Sequence, residues 1–345
     1  MHPYENLPQT AFWSTAVAPG PDRVAGLWRP KVLIHPAEQI VTFGSCFAQH
    51  IGRELFRRGY FWANHEPAPR GLRAEHAKAF NFGVFSARTG NIYTAGMLLQ
   101  WVQWALMGEA VPDVVWEKAG RFYDPFRPAI EPDGFASPAE VRASRDIALE
   151  AFATGLRHAR HFVFTLGLTE SWQDQAGFEY AICPGTVAGA FDPERHRFLN
   201  QDFSYVRQHL AAAFDLMRAQ NPALRVLLTV SPVPLTATAS GDHVLVATTR
   251  SKAVLRAVAG DMAALPFVDY FPAYEIVTAP VFGGRAYADN QRSVTAAGVA
   301  GVMAHFFAGQ GVADAVPVAD AEDVACEEQI LAAFAGKPPV TMEPG

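Results

Sequence analysis

From His161 to Leu168 the chain reads His-Phe-Val-Phe-Thr-Leu-Gly-Leu, and from Arg225 to Val230 it reads Arg-Val-Leu-Leu-Thr-Val. Neither run alternates apolar with polar residues, so a strand built from either needs cover on both faces. Helices supply that cover when strands run parallel, because each parallel connection must cross back over the sheet. The intervening segments fit this role. Phe47 to Arg58 puts Phe47, Ile51, Leu55 and Phe56 on one side and Arg53, Glu54, Arg57 and Arg58 on the other, with Gly59 as a stop. Ser137, Pro138 and Glu140 form an N-terminal capping pattern for a helix running to about His158. Further helices are expected at Thr94 to Met107, Phe203 to Arg218, Ser251 to Leu265 and Ser293 to Ala308, and further strands at Gln39 to Phe43 and Val268 to Phe271. Strands alternating with helices predict an α/β chain with a parallel, doubly wound sheet.

The remaining segments read as additions to that core. Residues 1–38 are Pro-rich, with Phe12, Trp13 and Trp28, and predict an N-terminal arm whose aromatics pack on the body formed by residues 39–310. Phe61 to Asn91 and Trp116 to Pro132 are turn-rich and predict loop insertions, and Phe178 to Cys183 predicts a short hairpin. Residues 311–345 are acidic, with one helix expected over Glu322 to Phe334 and a frayed end.

Half the residues are hydrophobic and 18 % are charged, the balance of a globular protein. A net charge of −6 gives no basic footprint for nucleic acid or an anionic membrane surface. Cys46, Cys183 and Cys326 are far apart and odd in number, which suggests neither a disulfide framework nor a metal site. The chain opens without a basic segment leading into an apolar one, and no run of 18 apolar residues follows, so a cytoplasmic protein without an integral membrane segment is expected. No phosphate- or dinucleotide-binding glycine pattern occurs, and no cofactor is implied.

Ligands of an open parallel sheet bind beyond the carboxyl ends of its strands. That rule collects Ser45, Thr169, Glu170, Ser231, Glu275 and Asp289. Ser45 follows an apolar strand and opens a helix, whose N–H groups and positive dipole end can stabilise an oxyanion. The competing reading of Ser45 is a plain helix cap. A serine nucleophile needs a base, and His243, after a Pro-rich turn at a strand end, is the favoured histidine. Cys46 is a second possible nucleophile at the same helix end.

Gly44-Ser45-Cys46-Phe47-Ala48 resembles the signature of the GSCFA family, as do Asn81 to Thr94, Phe164 to Glu170, Thr229 to Pro234, His243 to Thr248 and Tyr270 to Glu275, in the same order. That family is similar to the SGNH/GDSL hydrolases. The resemblance implies a flavodoxin-like three-layer α/β/α fold with loop insertions and a serine-dependent esterase acting on an acyl ester, such as an acylated carbohydrate. One alternative is an O-acyltransferase that modifies a surface polysaccharide with a donor such as acetyl-CoA, and another is a non-catalytic carbohydrate-binding or assembly protein. By the same resemblance Ser45 is the nucleophile, Gly83 (or Gly90) and Thr169 lie at the oxyanion positions, and Glu170, Arg88 and Arg292 are expected to contact substrate. Arg292 stands where those hydrolases carry histidine, which leaves His243 as the base, with Asp289 or Glu275 to orient it, or no base at all.

Overall fold

The computed structural model describes residues 2–312 and 326–335. After helix α1 (Trp13–Ala16) come strand β1 (Ile40–Gly44) and helices α2 (Phe47–Arg57), α3 (Ala74–Ala79) and α4 (Ala95–Val102), the last running into a π turn. A hairpin of β2 (Trp116–Lys118) and β3 (Arg121–Tyr123) precedes α5 (Pro138–His158) and β4 (His161–Leu166). Strands β5 (Glu170–Asp174), β6 (Glu179–Tyr180) and β7 (His196–Asn200) form a small antiparallel sheet. The chain continues through α6 (Phe203–Gln220), β8 (Arg225–Val230), α7 (Val244–Met262), β9 (Val268–Tyr270), α8 (Ala273–Thr278) and α9 (Ala296–Gly309), and Glu327–Phe334 forms 3₁₀ turns.

The central sheet is parallel, in the order β1-β4-β8-β9, and Trp62 makes a single parallel bridge to Ile40 on the far side of β1. Counting that bridge as a vestigial second strand, the order is the 2-1-3-4-5 of a flavodoxin-like doubly wound sheet. Alternate residues divide between two apolar clusters. Val41, Phe43, Phe162, Phe164, Val226 and Leu228 pack under α4, α5, α6 and α7, whereas Ile40, Val163 and Leu227 pack under α2, α8 and α9. The result is a three-layer α/β/α arrangement.

Local differences from the sequence reading have local causes. Phe56 is 66 % exposed, since only Phe47, Ile51 and Leu55 of α2 keep helical spacing toward the sheet. In the N-terminal arm Trp28 is buried against Phe271 and Phe306, but Trp13 is exposed. The Phe178 to Cys183 segment pairs through β6 with β5, which also pairs with β7, so it belongs to a three-stranded sheet. Helix α7 begins earlier than Ser251, because His243 caps it, and α9 begins at Ala296, capped by Thr295. Of the helix expected over Glu322 to Phe334, residues 322–325 lie outside the described residues, Cys326 is extended, and Glu327–Phe334 is 3₁₀.

Asp124 ties the turn-rich insertion to α5. Its carboxylate accepts from Arg127 Nε at 2.8 Å and pairs with Arg145 Nη2 at 2.9 Å, and all three side chains are buried. Burial acts to raise the Asp124 pKa, but the two guanidinium groups outweigh it and hold the carboxyl below its usual range. Asp124→Ala should cost about 3–5 kcal/mol in chemical denaturation, since it strands two buried cations. A depressed folded pKa contributes stability that is present above the unfolded-state value of about 3.9 and lost as pH falls through the folded value. The difference between wild type and Asp124→Ala should therefore shrink on acidification below about pH 4.

Candidate functional site

Ser45 is placed by the close approach of the parallel neighbours β1 and β4 at their carboxyl ends. Its N–H donates to Thr165 O at 2.9 Å, and Gly44 before it has φ +121°. A Cβ on Gly44 would lie 2.6 Å from Thr165 N, so only glycine lets the strands approach and the chain turn there. Gly167, just past β4, meets the serine from the other side, where an added Cβ would come within 2.9 Å of Ser45 Cβ. The cap position of α2 is Cys46 and no side chain caps the helix, so Ser45 is not a helix cap. Ser45 Oγ is buried without a hydrogen-bond partner among the described residues. An isolated buried hydroxyl costs free energy and is uncommon in a finished core.

Ser45 borders a cavity of about 10 Å³ shared with Cys46, Tyr93, Gly167, Ser231, Leu235 and Glu328. Polar groups from distant parts of the chain converge around it. The Cys46 and Cys326 thiols hydrogen-bond to each other, and Cys326 Sγ lies 3.6 Å from the Tyr93 hydroxyl. That hydroxyl donates to Glu327 at 2.9 Å, and Asn91 donates to the same carboxylate. Glu328 accepts from Thr236 N–H at 3.0 Å and from Arg292 Nη2 at 3.1 Å. Lys252, buried on α7, donates Nζ to Gly167 O at 2.5 Å.

Burial sets most of the electrostatics here. It pushes the Glu327 carboxyl up despite the hydrogen bonds from Asn91 and Tyr93, and pushes Glu328 up against the pull of Arg292. It lowers Lys252 to about 8, with Glu328 opposing the change. The hydrogen bond from Cys46 brings Cys326 down to about 7, whereas Cys46 is raised by that bond and by burial, which makes Cys46 a poor thiolate.

The other residues expected at the site are dispersed. His243 is exposed, and its Nδ1 accepts from Leu245 N–H at 3.2 Å, so the ring caps α7 instead of turning toward the Ser45 cavity. Asp289 is exposed in the turn before α9. Glu275 pairs with Arg256 and accepts from the Tyr270 hydroxyl at 2.7 Å. Gly83 is exposed, with φ +71°, and does not line the cavity. Gly90 instead packs near Glu327, where a Cβ would be 3.2 Å from Oε1. Thr169 is buried, but its N–H is spent on Ser251 Oγ at 3.0 Å and its hydroxyl on Asn200 at 2.8 Å. Arg88 is locked between Glu131 at 2.9 Å and Glu66 at 3.6 Å. Glu170 accepts from the Thr238 hydroxyl at 2.6 Å and borders a second cavity. Of the expected substrate contacts, Arg292 alone joins the group around Ser45.

That second cavity, about 270 Å³, is lined by apolar residues including Met97, Leu168, Trp172, Ile182, Leu235 and Leu331. It shares Tyr93, Leu168, Leu235 and Glu328 with the small one, so the two adjoin. Sequence reasoning missed Lys252, Glu327 and Glu328. Lys252 follows Thr248, Thr249, Arg250 and Ser251 and carried no signal that set it apart from a solvated helix face, while the glutamates were hidden in an acidic tail.

Among the described residues no cluster of His, Cys, Asp and Glu has the arrangement of a metal site. The sequence pattern of the GSCFA family matches residues 39–306. Neither a curated protein nor a solved structure matches the chain.

Gly44→Ala should lower folding stability by about 2–4 kcal/mol in denaturant titration, since it combines backbone strain with a clash against the Thr165 backbone.

Proposed function

The chain belongs to the GSCFA family, and from the chemistry around Ser45 we propose that it is a serine-dependent acyl-ester hydrolase of the SGNH/GDSL type, acting on a substrate such as an acylated carbohydrate. The observation that carries this reading is the buried Ser45 Oγ without a partner, at the carboxyl edge of the central sheet and the start of α2. A functional oxygen left unsatisfied is poised to act on something else.

In this reading Ser45 Oγ attacks the acyl carbonyl and expels the alcohol, and water then cleaves the acyl-enzyme. The N–H groups of Cys46 and Phe47, at helix-start positions that lack an intrahelical acceptor, hold the oxyanion together with the α2 dipole. Lys252 is the group best suited to take the serine proton. Its Nζ rests on Gly167, the residue packed against Ser45, and burial gives it a neutral fraction near neutral pH. An acyltransferase would use the same first half-reaction and pass the acyl group to a sugar hydroxyl instead of water. The exposed position of His243 favours a second reading, a carbohydrate-binding protein on this fold without turnover. Among the described residues no helix is long and apolar enough to cross a membrane.

Prolonged incubation with a fluorophosphonate should give an adduct on the peptide carrying Ser45, found by mass spectrometry, and none in Ser45→Ala. Aryl acetate hydrolysis should fall at least about a thousand-fold in that variant. An unlabelled Ser45 would shift the balance to the binding reading. Because a base must be deprotonated to act, kcat/KM should rise with pH through a value near 8, and Lys252→Met should lose both the rise and most of the rate.

A further inference from the structure

The end of the described chain lies in the Ser45 site. Cys326, Glu327 and Glu328 are consecutive, and each makes contact there: Cys326 with Cys46 and Tyr93, Glu327 with Asn91 and Tyr93, Glu328 with Arg292 and Thr236. Leu331 and Phe334 of the same segment then line the adjoining 270 Å³ cavity. One short peptide thus presents carboxylates beside the serine and apolar groups in the cavity next to it.

The groups that hold Glu328 come from other parts of the chain. Both carboxylate oxygens are satisfied, Oε1 by Thr236 N–H and Oε2 by Arg292. Thr236 lies in the segment after β8. Arg292 comes from the turn before α9, where its Nε donates to Pro234 O at 3.1 Å and its N–H to Asn290 Oδ1 at 3.0 Å. The guanidinium is therefore oriented by other parts of the body, and with residues 326–334 in place its side chain is only 16 % exposed. A pre-oriented guanidinium with a neighbouring backbone N–H is a strong carboxylate site. The Ser45 cavity and Glu328 adjoin, so the cradle is a short spacer away from the serine.

We propose that Arg292 and Thr236 N–H form a recognition site for a carboxylate carried by the substrate, and that residues 326–334 occupy it in competition with that substrate. The identification of the occupant as substrate rests on the hydrolase reading, whereas the carboxylate site does not. The carboxylate belongs either to the acyl group, as in the hemiester of a short dicarboxylic acid, or to the alcohol, as in an acylated uronic acid. Binding of either requires the segment to leave, and the segment returns when the site empties.

Calorimetry on the full chain with glutarate and with glucuronate distinguishes the two sources, with dimethyl glutarate as the uncharged control. Glu328→Gln keeps the shape of the segment but weakens its hold on Arg292, so it should bind one of the two anions at least about tenfold more tightly than wild type. Hydrogen exchange over residues 326–334 should be faster in Glu328→Gln, and faster in wild type when the anion is added. Leu331→Ser/Phe334→Ser, which leaves Glu328 in place, should loosen the same segment if Glu328→Gln does not fold. Arg292→Met, checked for an unchanged melting transition, should abolish binding. Equal binding by wild type and both loosened variants, anion binding that survives Arg292→Met, or dimethyl glutarate binding as well as glutarate would each overturn the proposal. Ser45→Ala should bind like wild type, so a failed hydrolase reading leaves this result standing, and the reverse.

Discussion

The hydrogen bond from Ser45 N–H to Thr165 O, at 2.9 Å, continues the β1–β4 ladder one residue past the end of β1, and the site depends on it. It holds the turn after β1 against the neighbouring strand at a distance that only a glycine at position 44 permits. Because the two strands approach so closely there, Ser45 leaves the sheet at its carboxyl edge with its hydroxyl inside the molecule and helix α2 starting directly behind it. Gly167 completes the arrangement from the end of β4, where the absence of a side chain lets Ser45 and Tyr93 approach. Two glycines, the last residue of β1 and the first past β4, thereby place one hydroxyl.

Around that hydroxyl the chain concentrates charge in a way that a core normally avoids. Lys252, Arg292, Glu327 and Glu328 are mostly removed from water, and desolvation alone would make each costly. Their mutual arrangement reduces the cost: Glu328 meets Arg292, Glu327 meets Asn91 and Tyr93, and Lys252 meets a strand-end carbonyl. Half of this set comes from the body and half from the end of the described chain. Both cations are therefore positioned by the fold, while the carboxylate that satisfies Arg292 is held by a short 3₁₀ segment. Such a segment has few internal hydrogen bonds and can exchange for another ligand more readily than a packed helix.

The parallel sheet was legible because His161 to Leu166 and Arg225 to Val230 are apolar on both faces, and local hydrophobic pattern carries that information directly. The position of Ser45 was legible for the same reason, since an apolar run, a glycine and an amphipathic helix follow one another within about a dozen residues. The side chains that surround Ser45 were not legible. His243 satisfies a sequence rule, a histidine after a strand end, but the α7 N-terminus has unsatisfied N–H groups of its own and takes the imidazole as a cap. Asp289 and Glu275 obey the same rule, yet one faces solvent and the other is engaged by Arg256 and Tyr270. Thr169 is at the predicted strand end but its N–H is already used.

By itself, then, the sequence determined the layers, the direction of the sheet and the position of Ser45 between β1 and α2, all of which follow from patterns within short windows. Only the tertiary structure decided which charges stand beside Ser45. Lys252, Arg292 and Glu328 are separated by tens of residues, and no local pattern records that α7, the turn before α9 and the 326–334 segment bring these charges to one another and to Cys46. Their convergence depends on how the crossovers return each element to the same edge of the sheet, and that is a property of the packed chain as a whole.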